Sequence, residues 1–175
     1  MKRILLSLAF LAACLGAVAQ TRIPLLEKVP GHRVQCRYTY SVSKDGGEFS
    51  EVTAGNLEVE DNAFRLDALG LRIISDGITR WTLDDEAREA VVETVQKEDV
   101  TANPALLIGH YADYAQDLVV NASGKDFLDV TLVMDNTTRA RFFLKDIVFE
   151  DPKGKSDFSL EEKSLPKGYL VTDLR

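Results

Sequence analysis

The feature that most constrains the fold is a hairpin pattern centred on Asp76-Gly77. Two short apolar segments, residues 71–75 and 79–84, flank this dipeptide. The dipeptide is typical of tight turns, because glycine adopts positive φ without a Cβ clash. Side chains alternate after the turn, which places Trp81, the only tryptophan, on an apolar face of a strand. The pattern predicts two antiparallel strands whose apolar face must be buried.

The same alternation recurs along most of the chain and predicts about ten antiparallel strands. It is clearest in residues 34–43, 127–134 and 139–150, and residues 157–160 and 170–174 are expected to complete the sheet. The fold class is therefore mainly β (α+β). Such a sheet can close as a barrel, pack as a sandwich or curl into an open half-barrel, and strand spacing alone does not choose among these forms.

The alternation is interrupted by a predicted helix. Asn103 is an expected N-cap, Pro104 fits the first helical position, and residues 105–115 continue the helix. Helical spacing gives this segment an apolar face that is expected to lie on the sheet. Its members are Leu106, Leu107, Ile108, Tyr111 and Tyr114.

The first residues resemble an export signal. A basic start is followed by an apolar run over residues 4–15, which is too short to span a bilayer, and by a cleavage pattern at Ala17-Val18-Ala19. We therefore expect a signal peptide over residues 1–19, a single domain over residues 20–175, and the periplasm of a Gram-negative bacterium as the location. No repeat or linker divides the domain.

A second reading of this region is a lipobox ending at Cys14, which would make that residue a lipid-bearing N-terminus. The apolar run continues past Cys14, which favours cleavage after Ala19. Cys36 is then the one remaining cysteine, so no disulfide can form within the chain. Its alternating strand predicts a small buried apolar role for Cys36 rather than a nucleophile.

Charge and motifs argue against several classes of function. The net charge of −7 disfavours nucleic acid and polybasic docking on anionic lipid. His32 and His110 lack metal-ligand spacing, and the acidic cluster 84–86 reads as solvated turn charge, with cation binding as the lesser alternative. No catalytic motif is found, so we expect no enzyme activity, no metal and no cofactor.

Several motifs in order carry a resemblance to a known family. They are the segments 55–66 and 101–108, Phe158-Ser159-Leu160, Pro166-Lys167-Gly168-Tyr169 and residues 171–175. This set, spread from about Leu25 to Arg175, resembles the periplasmic outer-membrane lipoprotein carriers of the LolA family, in particular the LolA-like chaperones of Bacteroidetes.

The resemblance implies an open half-barrel with short helices as a lid over an apolar cavity. It implies a monomeric chaperone that carries the acyl chains of lipoproteins from an inner-membrane lipoprotein-releasing transporter to an outer-membrane acceptor. Without the resemblance, the same apolar face is explained by a filled core. The predicted cavity residues are Leu57, Val59, Phe64, Leu66, Leu71, Ile73, Trp81, Leu83, Leu106, Leu107, Tyr111, Leu132, Phe142 and Leu144.

The chain departs from that family at one turn. The carriers bear Arg and Pro before the Asn that precedes the Phe strand, whereas this chain has Glu60 and Asp61 before Asn62. At this turn, the resemblance therefore does not imply that cargo is passed on by the family's usual mechanism or to its usual partners. The alternative function is a periplasmic protein that binds or senses a lipid or glycolipid on the same half-barrel. An enzyme acting in the cavity would need a polar constellation inside the sheet.

Overall fold

The structure, a computed structural model, describes residues 23–95 and 103–175. The predicted signal peptide and the lipobox at Cys14 lie outside the described residues. Ten strands form one sheet with the order β10-β6-β5-β4-β3-β2-β1-β9-β8-β7. The strands are β1 Arg33–Lys44, β2 Ser50–Glu60, β3 Ala63–Ala68, β4 Leu71–Ser75, β5 Thr79–Asp84, β6 Glu89–Thr94, β7 Leu118–Ser123, β8 Phe127–Val133, β9 Thr138–Glu150 and β10 Leu170–Asp173.

The sheet is open, because β10 and β7 stand at its two ends. Neighbouring strands are antiparallel, as predicted, except that β10 runs parallel to β6. The wholly antiparallel prediction was therefore wrong at this edge. β10 follows a long crossover from β9, which lies seven places away in the sheet, and alternation within a strand carries no information about such a crossover.

Two short helices, α1 (Pro104–Gly109) and α2 (Tyr111–Tyr114), lie between β6 and β7 in the chain. Single turns of 3₁₀-helix occur at Leu26–Lys28, Lys155–Phe158 and Glu162–Ser164. The strand expected at residues 157–160 is thus a 3₁₀ turn followed by irregular chain. No helix in the described parts of the chain has both the length and the apolar character needed to cross a bilayer.

The two sides of the sheet carry different side chains. Cross-strand partners share a face, and the pairs Val59 with Phe64 and Leu57 with Leu66 define what we call the front face. Between these pairs, Glu58 lies opposite Arg65 on the other side, which we call the back face. Within β2 and β3, the alternation expected from the sequence thus separates an apolar side from a charged side.

A close backbone approach at a glycine and shifts of register interrupt the regular pairing of the long central strands. Tyr38 lies opposite Gly55, and its hydroxyl donates a 2.7 Å hydrogen bond to the Asp67 carbonyl. A Cβ on Gly55 would lie 2.2 Å from that same carbonyl oxygen, so only glycine fits. β1 also shifts register against β9 between Gln35 and Arg37. Such irregularities increase the local twist of a strand.

Candidate functional site

The front face holds the larger of two apolar clusters. Its central side chains come from β2, β3, β8 and β9 and are between 0% and 4% exposed. They pack with one another and with α1, because alternation turns every second residue of each strand inward. The predicted cavity residues in this group are Leu57, Val59, Phe64, Leu66, Leu132, Phe142 and Leu144.

α1 lies over this cluster. The Asn103 side chain accepts a 3.0 Å hydrogen bond from the N–H of Ala105, which confirms the predicted N-cap. Leu107 and Ile108 of α1 are buried in the cluster. Gly109 ends the helix so close to the sheet that a Cβ there would lie 2.8 Å from the Asp61 carbonyl oxygen. The helix was predicted to continue to residue 115, but it stops here and a separate turn, α2, follows.

Half-buried apolar side chains surround the front cluster. Leu106 and Tyr111 on the helices and Ile73 on β4 pack against it from the outside, and Leu71 is half-buried as well. Tyr40 stacks on Phe142 with ring centroids 5.1 Å apart. The front cluster therefore has a closed centre and a partly open apolar margin beside α1 and α2.

Trp81 and Leu83 do not belong to this site. Ile74 pairs with Trp81, whereas Ile73 pairs with Thr82. Since cross-strand partners share a face, Ile73 lies on the front face and Trp81 on the back. The prediction that all these residues line one face was wrong for Trp81 and Leu83. The predicted turn between β4 and β5 is confirmed, but the face of Trp81 depends on the pairing register across that turn.

Trp81 and Leu83 are buried in a second cluster on the back face. Its other strand members are Ala63, Ile74, Ala90 and Val92. Phe158, from the segment after β9, completes the cluster and is 1% exposed. The sequence predicted a strand at residues 157–160, and nothing local in this segment indicates that Phe158 covers the back face.

A charged network adjoins the second cluster. Arg33, at 1% exposure, donates from Nε to Glu60 at 2.9 Å and from Nη1 to Glu58 at 3.2 Å. Its Nη1 also donates to Asp157 at 2.5 Å. Asp157 is more than a hundred residues away from Arg33 in sequence. Sequence reasoning missed this network.

A shallow groove of about 350 Å³ runs along the back face beside this network. Its polar lining is mutually paired: Arg65 with Glu58 at 2.6 Å, Asn56 with Asp67 at 3.0 Å, and Arg37 with Asp146. Opposite charges thus compensate one another within the groove. It lacks the excess of one charge that would select an ion, since its lining has two arginines and three carboxylates.

The remaining residues with reactive side chains are Cys36, the two histidines and the acidic cluster 84–86. Burial raises the pKa of the Cys36 thiol to about 12, and this buried position confirms its predicted apolar role. His32 lies edge-on to the Phe149 ring, and His110 faces Asp113 at 4.0 Å. Asp84 accepts hydrogen bonds from backbone N–H groups of its own turn. Within residues 23–95 and 103–175, no group of three or more His, Cys, Asp or Glu side chains is arranged to hold a metal ion.

No protein-family model matches the chain, and no curated protein matches it either.

Proposed function

We propose that this chain is a periplasmic carrier of the LolA type that shelters the acyl chains of lipoproteins on the front face of its sheet. The observation that carries the proposal is an unclosed ten-stranded sheet whose front-face cluster has side chains of two short helices packed against it. In this proposal the sheet is a half-barrel, α1 and α2 are its lid, and the structure is the closed state. The inner-membrane transporter and outer-membrane acceptor belong to the same proposal.

The energetics of opening favour an acyl ligand. Lifting α1 exposes Leu107 and Ile108, at a cost of about 1.5–3 kcal/mol for each side chain. Burying one methylene recovers about 0.8 kcal/mol, so roughly four to eight methylenes offset the opening. One long acyl chain provides more than that. A short apolar metabolite does not, which gives such a carrier its preference for lipid.

Release also follows from this balance. The side chains that would receive the acyl chain already contact one another in the closed state, so the ligand replaces existing contacts instead of filling an empty hole. The net gain is therefore smaller than the gain from burial in a bilayer. A carrier needs this order of affinities, because it must deliver its cargo to the outer membrane.

The first test is native mass spectrometry of the protein purified from a Gram-negative cell envelope. Bound lipopeptide is the expected result. Bound free lipid or glycolipid would support the alternative, a lipid-binding or lipid-sensing protein. If neither is bound, and no synthetic acylated peptide binds when added, the carrier proposal is wrong.

A pair of matched variants tests the location. Leu106→Glu places a charge at the half-buried margin of the lid, whereas Val119→Glu places one on β7 at a side chain that is 52% exposed. We expect Leu106→Glu to weaken acyl-peptide binding at least tenfold, and Val119→Glu to stay within about twofold of the parent. Equal effects would place the ligand elsewhere. Both variants are first checked for parental far-UV circular dichroism.

A further inference from the structure

The chain that follows β9 covers the back face and ends as the edge strand β10. We call residues 151–175 the strap. Its only fully buried apolar side chain among those described is Phe158, which enters the cluster around Trp81. Four further strap side chains are half-buried against that cluster: Leu160, Leu165, Tyr169 and Val171. The strap thus contacts the back-face cluster, while the front-face cluster contains none of its residues.

The start of the strap is held by a set of charged hydrogen bonds that we call the clasp. Glu60 of β2 accepts from the backbone N–H groups of Lys153 at 3.0 Å and Gly154 at 2.7 Å. Asp157 accepts from Nη1 of Arg33, whose Nε is bonded to Glu60. Charge-assisted hydrogen bonds are stronger than neutral ones, so the clasp fixes this end of the strap on the sheet.

The closed clasp leaves one buried hydrogen-bond donor of Arg33 without a partner among the described residues. The Arg33 guanidinium lies over the Phe158 ring, with Cζ 4.7 Å from the ring centroid. Its Nη2 is buried without a hydrogen-bond partner among the described residues. A buried unpaired donor destabilises the state that buries it. When the strap lifts, water reaches this nitrogen, which favours the open state.

The far end of the strap is attached on one side only. β10 is four residues long and pairs with β6 alone, with Leu170 65% exposed. The N–H groups of Leu170 and of Leu174, the residue that follows β10, donate to the carbonyls of Arg88 and Val92. β9, by contrast, has thirteen residues and pairs on both sides. Segments with few buried contacts and one-sided pairing open at lower free energy than a central strand.

We propose that the strap opens and closes as one unit while the front face stays folded. The clasp holds the strap closed, and opening exposes Trp81 and the outer edge of β6. The clasp has carboxylates on both sides, because Glu58 and Glu60 lie on the sheet and Asp157 lies on the strap. These carboxylates face Arg33, Arg65 and Lys153. This inference does not depend on the proposed function, because it concerns the opposite side of the sheet.

Hydrogen exchange of the full chain at neutral pH tests the proposal. The amides of Leu170 and Leu174 are expected to exchange together, and faster than amides of β8 and β9. Asp157→Asn removes the charge on the strap side of the clasp, so it should speed the exchange of these two amides about tenfold and leave β8 and β9 unchanged. Asp173→Asn is the matched control, because Asp173 pairs with Arg175 inside the strap. It should leave the exchange of Leu170 unchanged.

Fluorescence gives a second readout, since Trp81 is the only tryptophan. Phe158→Ala should make Trp81 at least twice as accessible to acrylamide while far-UV circular dichroism stays that of the parent. The proposal is overturned if strap amides are as protected as those of β8. It is equally overturned if Asp157→Asn or Phe158→Ala speeds exchange in β8 and β9 as much as in the strap, because the strap would then unfold only with the whole chain.

Discussion

The two faces of the sheet bury apolar side chains in different ways. The front cluster is built by many strands and α1, and its central side chains are between 0% and 4% exposed. The back cluster is smaller, lies under a single terminal segment, and adjoins a buried ion network around Arg33. The comparison teaches that one sheet can combine a cooperative core with a cover of lower stability. The front face governs global stability, and the back face governs local opening.

The largest expected effect is on the front face. Phe142 is fully buried and stacks on Tyr40, so Phe142→Ala should lower the free energy of unfolding by about 3–5 kcal/mol, as measured by urea denaturation. Phe158→Ala removes an equally large and equally buried ring on the back face. If the two variants lose the same free energy of unfolding, the two faces do not differ in their contribution to global stability.

The ion network gives the next effect. Glu60→Gln should cost about 1–3 kcal/mol at neutral pH, because the buried Arg33 loses a charged partner. Burial acts to raise the pKa of Glu60, but hydrogen bonds from Lys153, Arg33 and Gly154 outweigh it, and the pKa lies below the ordinary 4.5. A hydrogen bond from Arg33 likewise lowers the pKa of Asp157.

The sign of the pH dependence follows from these directions. A carboxyl whose pKa is lowered by folding stabilises the fold above its ordinary pKa, and that contribution is lost as the pH falls through the lowered value. The parent should therefore lose stability below about pH 4.5, and Glu60→Gln should lose less over the same range. Urea denaturation at about five pH values between pH 3 and 7 measures how the free energy of unfolding depends on pH for the parent and for Glu60→Gln. If the two proteins show the same pH dependence, Glu60 does not contribute to it.

A smaller effect is expected at the start of α1. Asn103→Ala removes the side-chain acceptor for the Ala105 N–H and should cost about 1 kcal/mol. Asn103→Asp keeps an acceptor and serves as the control. Faster hydrogen exchange in residues 105–109, with β9 unchanged, is the specific readout. A change spread evenly over the sheet would mean that α1 is not a separately moving cover.

The smallest effect is expected for an exposed ion pair on the back face. Arg37 pairs with Asp146, and both side chains are more than half exposed. Solvent screens such pairs, so Arg37→Gln should change the free energy of unfolding by less than about 0.5 kcal/mol. A loss of several kcal/mol in urea denaturation would show that charge on the back face matters outside the Arg33 network too.

Local patterns in the sequence were sufficient for much of the fold. The strand around Trp81, the turn at Asp76-Gly77 and the N-cap at Asn103 were all predicted and confirmed. Each depends on residues that are neighbours in sequence, where side-chain period and capping chemistry act directly. β7 was missed, because its six residues alternate only at Leu118 and Val120 before turning polar.

The rest depends on pairing over long distances. The face of Trp81 relative to Ile73 is set by the register of β4 against β5, and a shift of one residue would reverse it. The burial of Phe158 and the partner of Arg33 depend on where the chain returns after β9. No local composition encodes that return, so the strap and its clasp could be found only in three dimensions.

Photo-crosslinking with an acylated peptide tests the central claim most directly. A diazirine near the end of the acyl chain would label the residues that surround the chain when it is bound. We expect labelled peptides from β2, β3, β9 and α1, competed by unlabelled acylated peptide, and no labelling of the peptide that contains Trp81. Labelling concentrated around Trp81 and Phe158, or labelling that no acylated competitor reduces, would contradict a front-face acyl site.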